Sequence, residues 1–434
     1  MKKLMHILFW SVISAAFIGP GTVTTAASSG TQFGFALLWT LLFSTLACLI
    51  LQEGSARITV MSGRNLAQAI STPDAYNNKF TRLLILSMVF GAIVIGCAAY
   101  EAGNILGSVA GIALCTDIPS YILTLLIGII AGLLLYFAKT KTVARLMGVI
   151  VAVMGITFLI TAVLIKPPLD QLIKGTVLPS YPEGSGLLIL GLIGTTVVPY
   201  NLFLGSGIAQ GQNLQELRFG LTVAILIGGM ISMGVLVVGT AVQGSFTFNA
   251  LSLALSEKVG IWAKYFFAVG LFAAGFSSAI TAPLAAAITA KGLFNKINNS
   301  KWHETSWFYR SVWLIVLLSG MFFGVIGVQP IPVIILAQAL NGVVLPFVAV
   351  FLFYIVNNQL LMGRDGVNTL VPNILMMIVI GVTMTLGVLS LSKVITRILD
   401  VPMISYRYVL ICSALITIAI LIPVLRSVLK KKKG

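Results

Sequence analysis

Charge is what this sequence has least of. Asp, Glu, Lys and Arg make up 9% of its 434 residues, where an ordinary soluble protein carries about 25%. Eleven acids and twenty-seven bases cannot cover the surface of a large soluble domain. Soluble enzymes, nucleic-acid binders and secreted disulfide scaffolds are excluded on that ground. Histidine is nearly absent too: His6 and His303 are the two, placed near a helix end and in a connection, so the bundle interior has none for a ligand or relay. The four cysteines, Cys48, Cys97, Cys115 and Cys412, are scattered in or beside apolar stretches with no CxxC or Cys/His spacing. They read as small core hydrophobes rather than a zinc or redox site. No nucleophile–base pair or cofactor motif stands out, so neither an enzyme nor a cofactor is expected.

What is present is apolar sequence in long runs. The intervals 4–52, 118–138, 146–165, 184–215, 219–256, 265–290, 311–363 and 366–392 contain no Asp, Glu, Lys or Arg. Each is close to or above the roughly 20 residues that cross a bilayer as a helix. The expected fold is all-α: one polytopic membrane domain with about twelve spans, near 8–29, 35–56, 83–110, 119–138, 143–165, 186–209, 219–243, 259–290, 308–327, 330–356, 368–391 and 406–426. An even number of spans puts both termini on one side. Placing them in the cytoplasm leaves twenty of the twenty-seven bases inside and Lys166, Lys174, Lys258, Lys264, Lys393, Arg397 and Arg407 outside, which is the positive-inside bias. The net charge of +16 is thereby spent on anionic lipid, Lys430–Lys433 included, and calls for no nucleic acid. The start, Lys2-Lys3 and an apolar run to Ile18, resembles a signal peptide, but a first membrane helix with a break fits better. The longest polar connections are 57–82 and 291–307. Segment 58–72 is half apolar and is expected along the membrane interface.

Small residues recur at helix spacing: Gly103/Gly107/Gly111, Gly128/Gly132, Gly320/Gly324, and a dense run from Gly270 to Ala279. They let helices pack closely where lipid offers no hydrophobic drive. Two interruptions differ. Gly19-Pro20-Gly21-Thr22 breaks the first span, and the region Gly194 to Asn201, which contains Pro199, breaks the sixth. Each break frees backbone polar groups at mid-membrane depth, where unwound chain survives only if protein buries it or it lines a cavity. A matched pair of broken helices, one in each half, points to an inverted-repeat transporter with its site between the breaks; a pair of packing kinks is the plainer alternative.

Of the acids, Glu53 and Glu101 fall inside expected spans. Glu53 stands four residues before Arg57, the spacing of a helix ion pair. Glu101 sits well inside the third span with no base within several turns. A carboxyl group there is expected to carry a proton or to balance a bound cation, the alternative being a neutral Glu satisfied by its neighbours.

Five stretches resemble the NRAMP family of proton-coupled divalent-metal transporters, which share the inverted-repeat fold of the bacterial leucine transporter. Gly19-Pro20-Gly21-Thr22 matches the family's DPGN break. Gln52 to Ala67 is similar to the end of its helix 2. Thr195 to Ser206 resembles its MPHNLYLHS region. Gly270 to Phe294 resembles its helix 8, and Ala337 to Gly363 its helix 10. The resemblance implies a single transporter domain, with 8–165 and 186–356 as the two inverted repeats and 368–426 as two additional helices.

The departures fall on the chemistry. The family's metal-binding Asp corresponds to Gly19, its Asn to Thr22, its backbone-carbonyl ligand to Thr195, its Met to Val198, and the His that follows to Tyr200. A later His corresponds to Gly205. The family's Asp-x-x-Glu proton pair maps onto Glu101 and Asn104, and its helix 10 Gln is kept as Gln338. The resemblance therefore implies an ion or substrate site of Gly19, Thr22, Thr195, Val198, Tyr200, Asn201 and Gln338, with Gly19, Thr22, Thr195 and Val198 at the metal positions and proton coupling at Glu101 and Asn104. This lining offers hydroxyls, amides and carbonyls without charge. It suits Mn²⁺ or Fe²⁺ poorly, because soft first-row metals gain from sulfur or imidazole. A partly hydrated hard ion such as Mg²⁺ fits better. So does a small polar organic solute whose anionic part faces half-helix amino ends. The expected function is proton-linked secondary transport of one of these across the cell membrane. A sensor or scaffold that kept the fold without transporting is the alternative from another class.

Overall fold

The computed structural model describes residues 18–72, 78–137, 140–295, 299–398, 408, 411–420 and 422. The part of the first span before residue 18, with Lys2, Lys3 and His6, and the Lys430–Lys433 run lie outside the described residues. Among the described residues the chain is all helix and connection. In order come α1 (Pro20–Phe33), α2 (Leu38–Ser62), α3 (Leu66–Ile70), α4 (Lys79–Ala113), α5 (Ser120–Tyr136), α6 (Thr140–Leu164), α7 (Leu169–Val177), α8 (Gly186–Thr196), α9 (Pro199–Ile208), α10 (Leu214–Gly239), α11 (Phe248–Val259), α12 (Trp262–Phe294), α13 (Trp307–Val325), α14 (Pro330–Val356), α15 (Gln359–Gly366) and α16 (Leu370–Ile398). An apolar helix over Ile411–Ile420 follows. Eight stretches are long and apolar enough to cross a bilayer, α8 and α9 counting together, and α5, Gly148–Leu164 and Ile411–Ile420 are shorter apolar helices. With α1 as part of the first span, this is the expected set of about twelve.

Polar residues set the helix starts. Asn78, Asn213, Thr247, Ser306 and Asn358 each accept a hydrogen bond from a backbone amide in the first turn of the helix that follows, which satisfies one of the donors a helix start leaves free. Away from the core, α5 exposes Tyr121, Ile122, Leu125, Leu126, Ile129, Ile130 and Leu133. Water would penalise such a face, whereas lipid accepts it.

Inside, glycine seams bring backbones together. A Cβ at Gly111 would stand 2.5 Å from the Phe272 nitrogen, and one at Gly275 would stand 2.6 Å from the Asn104 oxygen. α4 and α12 thus touch backbone to backbone. Gly194 sits against the Gln338 carbonyl in the same way, a Cβ there meeting it at 2.0 Å, and joins α8 to α14. Gly320 lays α13 on the backbone of Glu101. The sequence spacings therefore mark real seams.

Three expectations need correction. Segment 58–72 is not one stretch laid on the outside of the bundle. Residues 58–62 complete α2, and Leu66, Ala67, Ala69 and Ile70 of α3 are buried. Gly63, with φ 66° at the end of α2, reverses the chain, a conformation that glycine adopts without penalty. Asn65 and Gln68 then form a reciprocal capping box, and the Ser206 hydroxyl takes the Leu66 amide at 2.7 Å. These bonds fold the segment inward. The cysteines also divide: Cys48 and Cys97 are buried, but Cys115 and Cys412 are exposed, because one follows the end of α4 and the other lies on an outward helix face. Finally, α2, α4 and α12 run several residues beyond the expected span ends.

Candidate functional site at the two helix breaks

The first break lies at the start of α1. Gly19 is extended, with φ −114° and ψ −174°, and Pro20 begins the helix where its missing amide costs nothing. Gly107 of α4 makes room for the Pro20 ring; a Cβ there would come within 2.1 Å of it. The second break separates α8 from α9. Val197 (φ −106°, ψ 79°) and Val198 (φ −80°, ψ 120°) leave the helical region, and Pro199 starts the second half. Val198 itself is buried.

The two breaks touch. The hydroxyls of Thr22 and Thr195, 173 residues apart, are 2.9 Å from one another. The Tyr100 hydroxyl donates to the Thr195 carbonyl at 3.3 Å, and the Tyr100 ring stands edge-on to Tyr200 with centroids 5.5 Å apart. Gln338 of α14 fills the notch at Gly21, where a Cβ would lie 2.2 Å from its amide nitrogen. Ser278 of α12 faces Gly19 at 3.6 Å by the same measure.

Polar atoms in this region are buried and many have no partner. The Glu101 carboxyl receives the Asn104 amide on Oε2 at 3.3 Å, while its Oε1 has no hydrogen-bond partner among the described residues. The same holds for the Tyr200 hydroxyl, both side-chain polar atoms of Asn201, the Ser278 hydroxyl, the Gln338 Oε1 and the Asn341 Oδ1. Buried polar atoms are normally satisfied. A concentration of unsatisfied ones around two helix breaks marks the place where a polar guest would recover what the chain leaves unmade.

The surroundings hold the breaks in position. A polar stripe on α2 docks α9: Gln52 Nε2 donates to the Asn201 carbonyl at 2.9 Å, Ser55 to the Leu202 carbonyl at 2.5 Å, and Thr59 to the Ser206 carbonyl at 2.7 Å. Beside this stripe on α2, Glu53 pairs with Arg57 at 3.1 Å and with Arg218 at 2.9 Å. Arg57 also donates to the Gly366 carbonyl and to Asn368. Glu53 is therefore a structural ion pair, outside the polar cluster. At the opposite end of the bundle a recess of about 250 Å³ lies between α4, α11 and α14, lined by Val109, Ala110, Thr247, Asn249 and Ile331 among others. Val109 and Ala110 follow Gly107 within one helical turn, so this recess opens above the Pro20 contact.

The structure thus joins Thr22, Thr195 and their neighbours Gly19 and Gln338, puts Tyr200 against Tyr100, and pairs Glu101 with Asn104. Tyr100, Ser278, Asn341 and the α2 stripe were not singled out from sequence. The stripe was readable in principle, since Gln52, Ser55 and Thr59 fall on one helix face. Among the described residues no three of His, Cys, Asp and Glu gather closely enough to hold a metal ion.

An all-helical bundle with apolar outer faces, two facing helix breaks and a polar centre defines an integral membrane protein of the inverted-repeat, leucine-transporter-like fold. Comparison of structures agrees. A manganese transporter of Eremococcus coleocola superposes with a TM-score of 0.71 at 18% identity, over 97% of this chain and 92% of that one. A nucleobase-cation-symport-1 family transporter in a closed conformation gives 0.55 at 14% identity, over 98% of this chain and 92% of that one. The family model for natural resistance-associated macrophage protein-like sequences matches residues 11–393, and the chain belongs to this Nramp family. Among its relatives, a protein of Deinococcus radiodurans called divalent metal cation transporter MntH is 28% identical over 84% of each chain. One of the same name from Acidiphilium cryptum is 27% identical over 82% of this chain and 83% of its own.

Proposed function

We propose that this chain is a secondary-active transporter of the cell membrane, with both termini in the cytoplasm. It moves its cargo by alternating access around the contact between Thr22 and Thr195. The observation that carries the reading is that contact, set within a ring of buried polar atoms that lack partners. Residues 8–165 and 186–356 act as the two repeats, and their broken helices rock about a midplane site.

The cargo reading starts from relatives named as divalent metal or manganese transporters. Here the cargo positions are Gly19, Thr22, Thr195, Val198, Tyr200, Asn201 and Gln338, and none has a charge or a sulfur. A dication stripped of water in such a site would lose several kcal/mol that neutral oxygens do not return. The selectivity is therefore shifted from Mn²⁺ to a hard cation that keeps part of its water, of which Mg²⁺ is the example. A second reading has its own support. Two half-helices, α1 at Pro20 and α9 at Pro199, begin at the breaks, and such amino ends favour the negative part of a small polar solute. Glu101, with Asn104 on its other oxygen, couples the movement to protons or balances the cargo's charge.

Flux into liposomes loaded with an indicator, measured for Mg²⁺, Mn²⁺ and a panel of small polar solutes, tests this. Mg²⁺ flux with little Mn²⁺ flux is the expected result. Absence of flux and binding for every dication removes the cation reading. Absence of flux for everything leaves a sensor or scaffold.

A further inference from the structure

α5 and α13 pack antiparallel, Gly128 against Met321 and Gly132 against Leu317. That pairing brings Tyr136, one turn beyond Gly132 at the end of α5, beside the start of α13. There the half-buried Arg310 lies over the Tyr136 ring, its Cζ 4.3 Å from the ring centre. Stacking uses the flat face of a guanidinium, while its N–H groups lie in the plane and stay open. Among the described residues no carboxylate takes them up. Glu304, the nearest acid in sequence, pairs with Lys291 at 3.0 Å, and Glu53 pairs with Arg57 and Arg218. The flanking sequence supplies no other acid. None stands between Asp117 and Asp170, or between Glu304 and Asp365, whereas Lys139, Lys141 and Arg145 all follow Tyr136 within nine residues.

From this corner two apolar faces run along the outside of the bundle. α5 exposes Ile129 and Leu133, and α13 exposes Ile315, Leu318 and Phe322. Such faces belong against lipid tails. Arg310 and the exposed Tyr136 stand where those faces give way to polar connections, which is where a phospholipid carries its phosphate. A long basic side chain at that depth ordinarily snorkels out to water; the Tyr136 ring instead holds this one against the bundle's flank. Charge then selects the occupant. A planar fork of donors fits two phosphate oxygens. A zwitterionic headgroup would bring its own ammonium among bases that lack acids, and an anionic headgroup brings none. We propose that Arg310, stacked on Tyr136, binds the phosphate of an anionic phospholipid whose acyl chains lie along the outer faces of α5 and α13. The choice of the cytoplasmic leaflet rests on the orientation proposed above, while the binding does not.

Thermal unfolding of the purified full-length protein in a neutral detergent, titrated with dioleoyl phosphatidylglycerol, dioleoyl phosphatidylcholine or inorganic phosphate, tests the proposal. Phosphatidylglycerol raises the midpoint saturably, and phosphatidylcholine and inorganic phosphate at equal concentration do not. Arg310→Gln raises the half-saturating phosphatidylglycerol concentration about tenfold, the scale of one lost charge-assisted hydrogen-bond pair. Tyr136→Leu removes the ring beneath the guanidinium and weakens binding in the same direction, whereas Tyr136→Phe keeps a ring and leaves it unchanged. Arg364→Gln takes an equal charge from an exposed position and also leaves it unchanged. Equal rises with the two lipids, or an undiminished rise in Arg310→Gln, overturn the proposal. An equal loss in Arg364→Gln overturns it too, by reducing the effect to general surface charge. An equal rise with inorganic phosphate replaces the lipid by a soluble anion. Should Arg310→Gln fail to fold, native mass spectrometry of Tyr136→Leu decides: it retains one phosphatidylglycerol fewer than the wild type, and equal retention overturns the site.

Discussion

Gly19 shows how little the backbone resists a different chemistry at this site. Its φ of −114° is open to any residue, and among the described residues a Cβ there would touch only the Ser278 hydroxyl, at an ordinary 3.6 Å. Gly19→Asp combined with Val198→Met is therefore expected to raise Mn²⁺ affinity by about tenfold or more, since it adds an anionic oxygen and a soft sulfur. Isothermal calorimetry reads the gain, and no gain would mean that the surrounding geometry has diverged too. At Glu101, replacement by Gln keeps the shape and removes the titrating oxygen. Transport by Glu101→Gln is expected to lose whatever pH dependence the wild type shows in liposome flux; an unchanged profile assigns proton handling elsewhere. Glu101 and the Gly19 break were legible in the sequence because a carboxyl group or a proline in an apolar run is costly and so stands out. Tyr100, Ser278 and Asn341 were not. Tyrosine, serine and asparagine are tolerated in many membrane helices, and their place in the site depends on which helix each one faces.

At the scale of helices, the α8–α14 seam governs how the second break is held. Gly194 lies against backbone, the Gln338 carbonyl, and not against a side chain able to turn away. Gly194→Ala is expected to destabilise the fold by about 1–3 kcal/mol through overpacking, seen as a lower midpoint in thermal unfolding. Gly19→Ala, with its open surroundings, serves as the contrast and leaves the midpoint nearly unchanged. The long spans were readable, since charge-free length and proline placement suffice to define them, whereas the short helices α3, α7, α11 and α15 were not read. Segment 58–72 shows the limit. Its half-apolar composition suits an outlying helix and an inward-folded one alike, and the inward fold is set by Gly63, the Asn65–Gln68 box and a distant hydroxyl, Ser206. Composition does not encode the last of these.

For the whole molecule, the proposed orientation rests on the distribution of bases and is open to direct test through the protein's own thiols. Cys115 is exposed in the connection after α4, and Cys412 is exposed on an apolar helix, while Cys48 and Cys97 are buried. With both termini in the cytoplasm, a membrane-impermeant maleimide added to intact cells is expected to modify Cys115 and to miss Cys412, which faces lipid. Labelling of Cys115 only after the cells are opened would invert the topology. The contact of Tyr100 with Thr195 has a consequence for the working cycle. The carbonyl at the second break already accepts a hydrogen bond from a phenol at 3.3 Å, and its second lone pair stays open. A guest that reached for that oxygen would share it with a tethered side chain, so the strength of its hold would depend on where the Tyr100 ring stands.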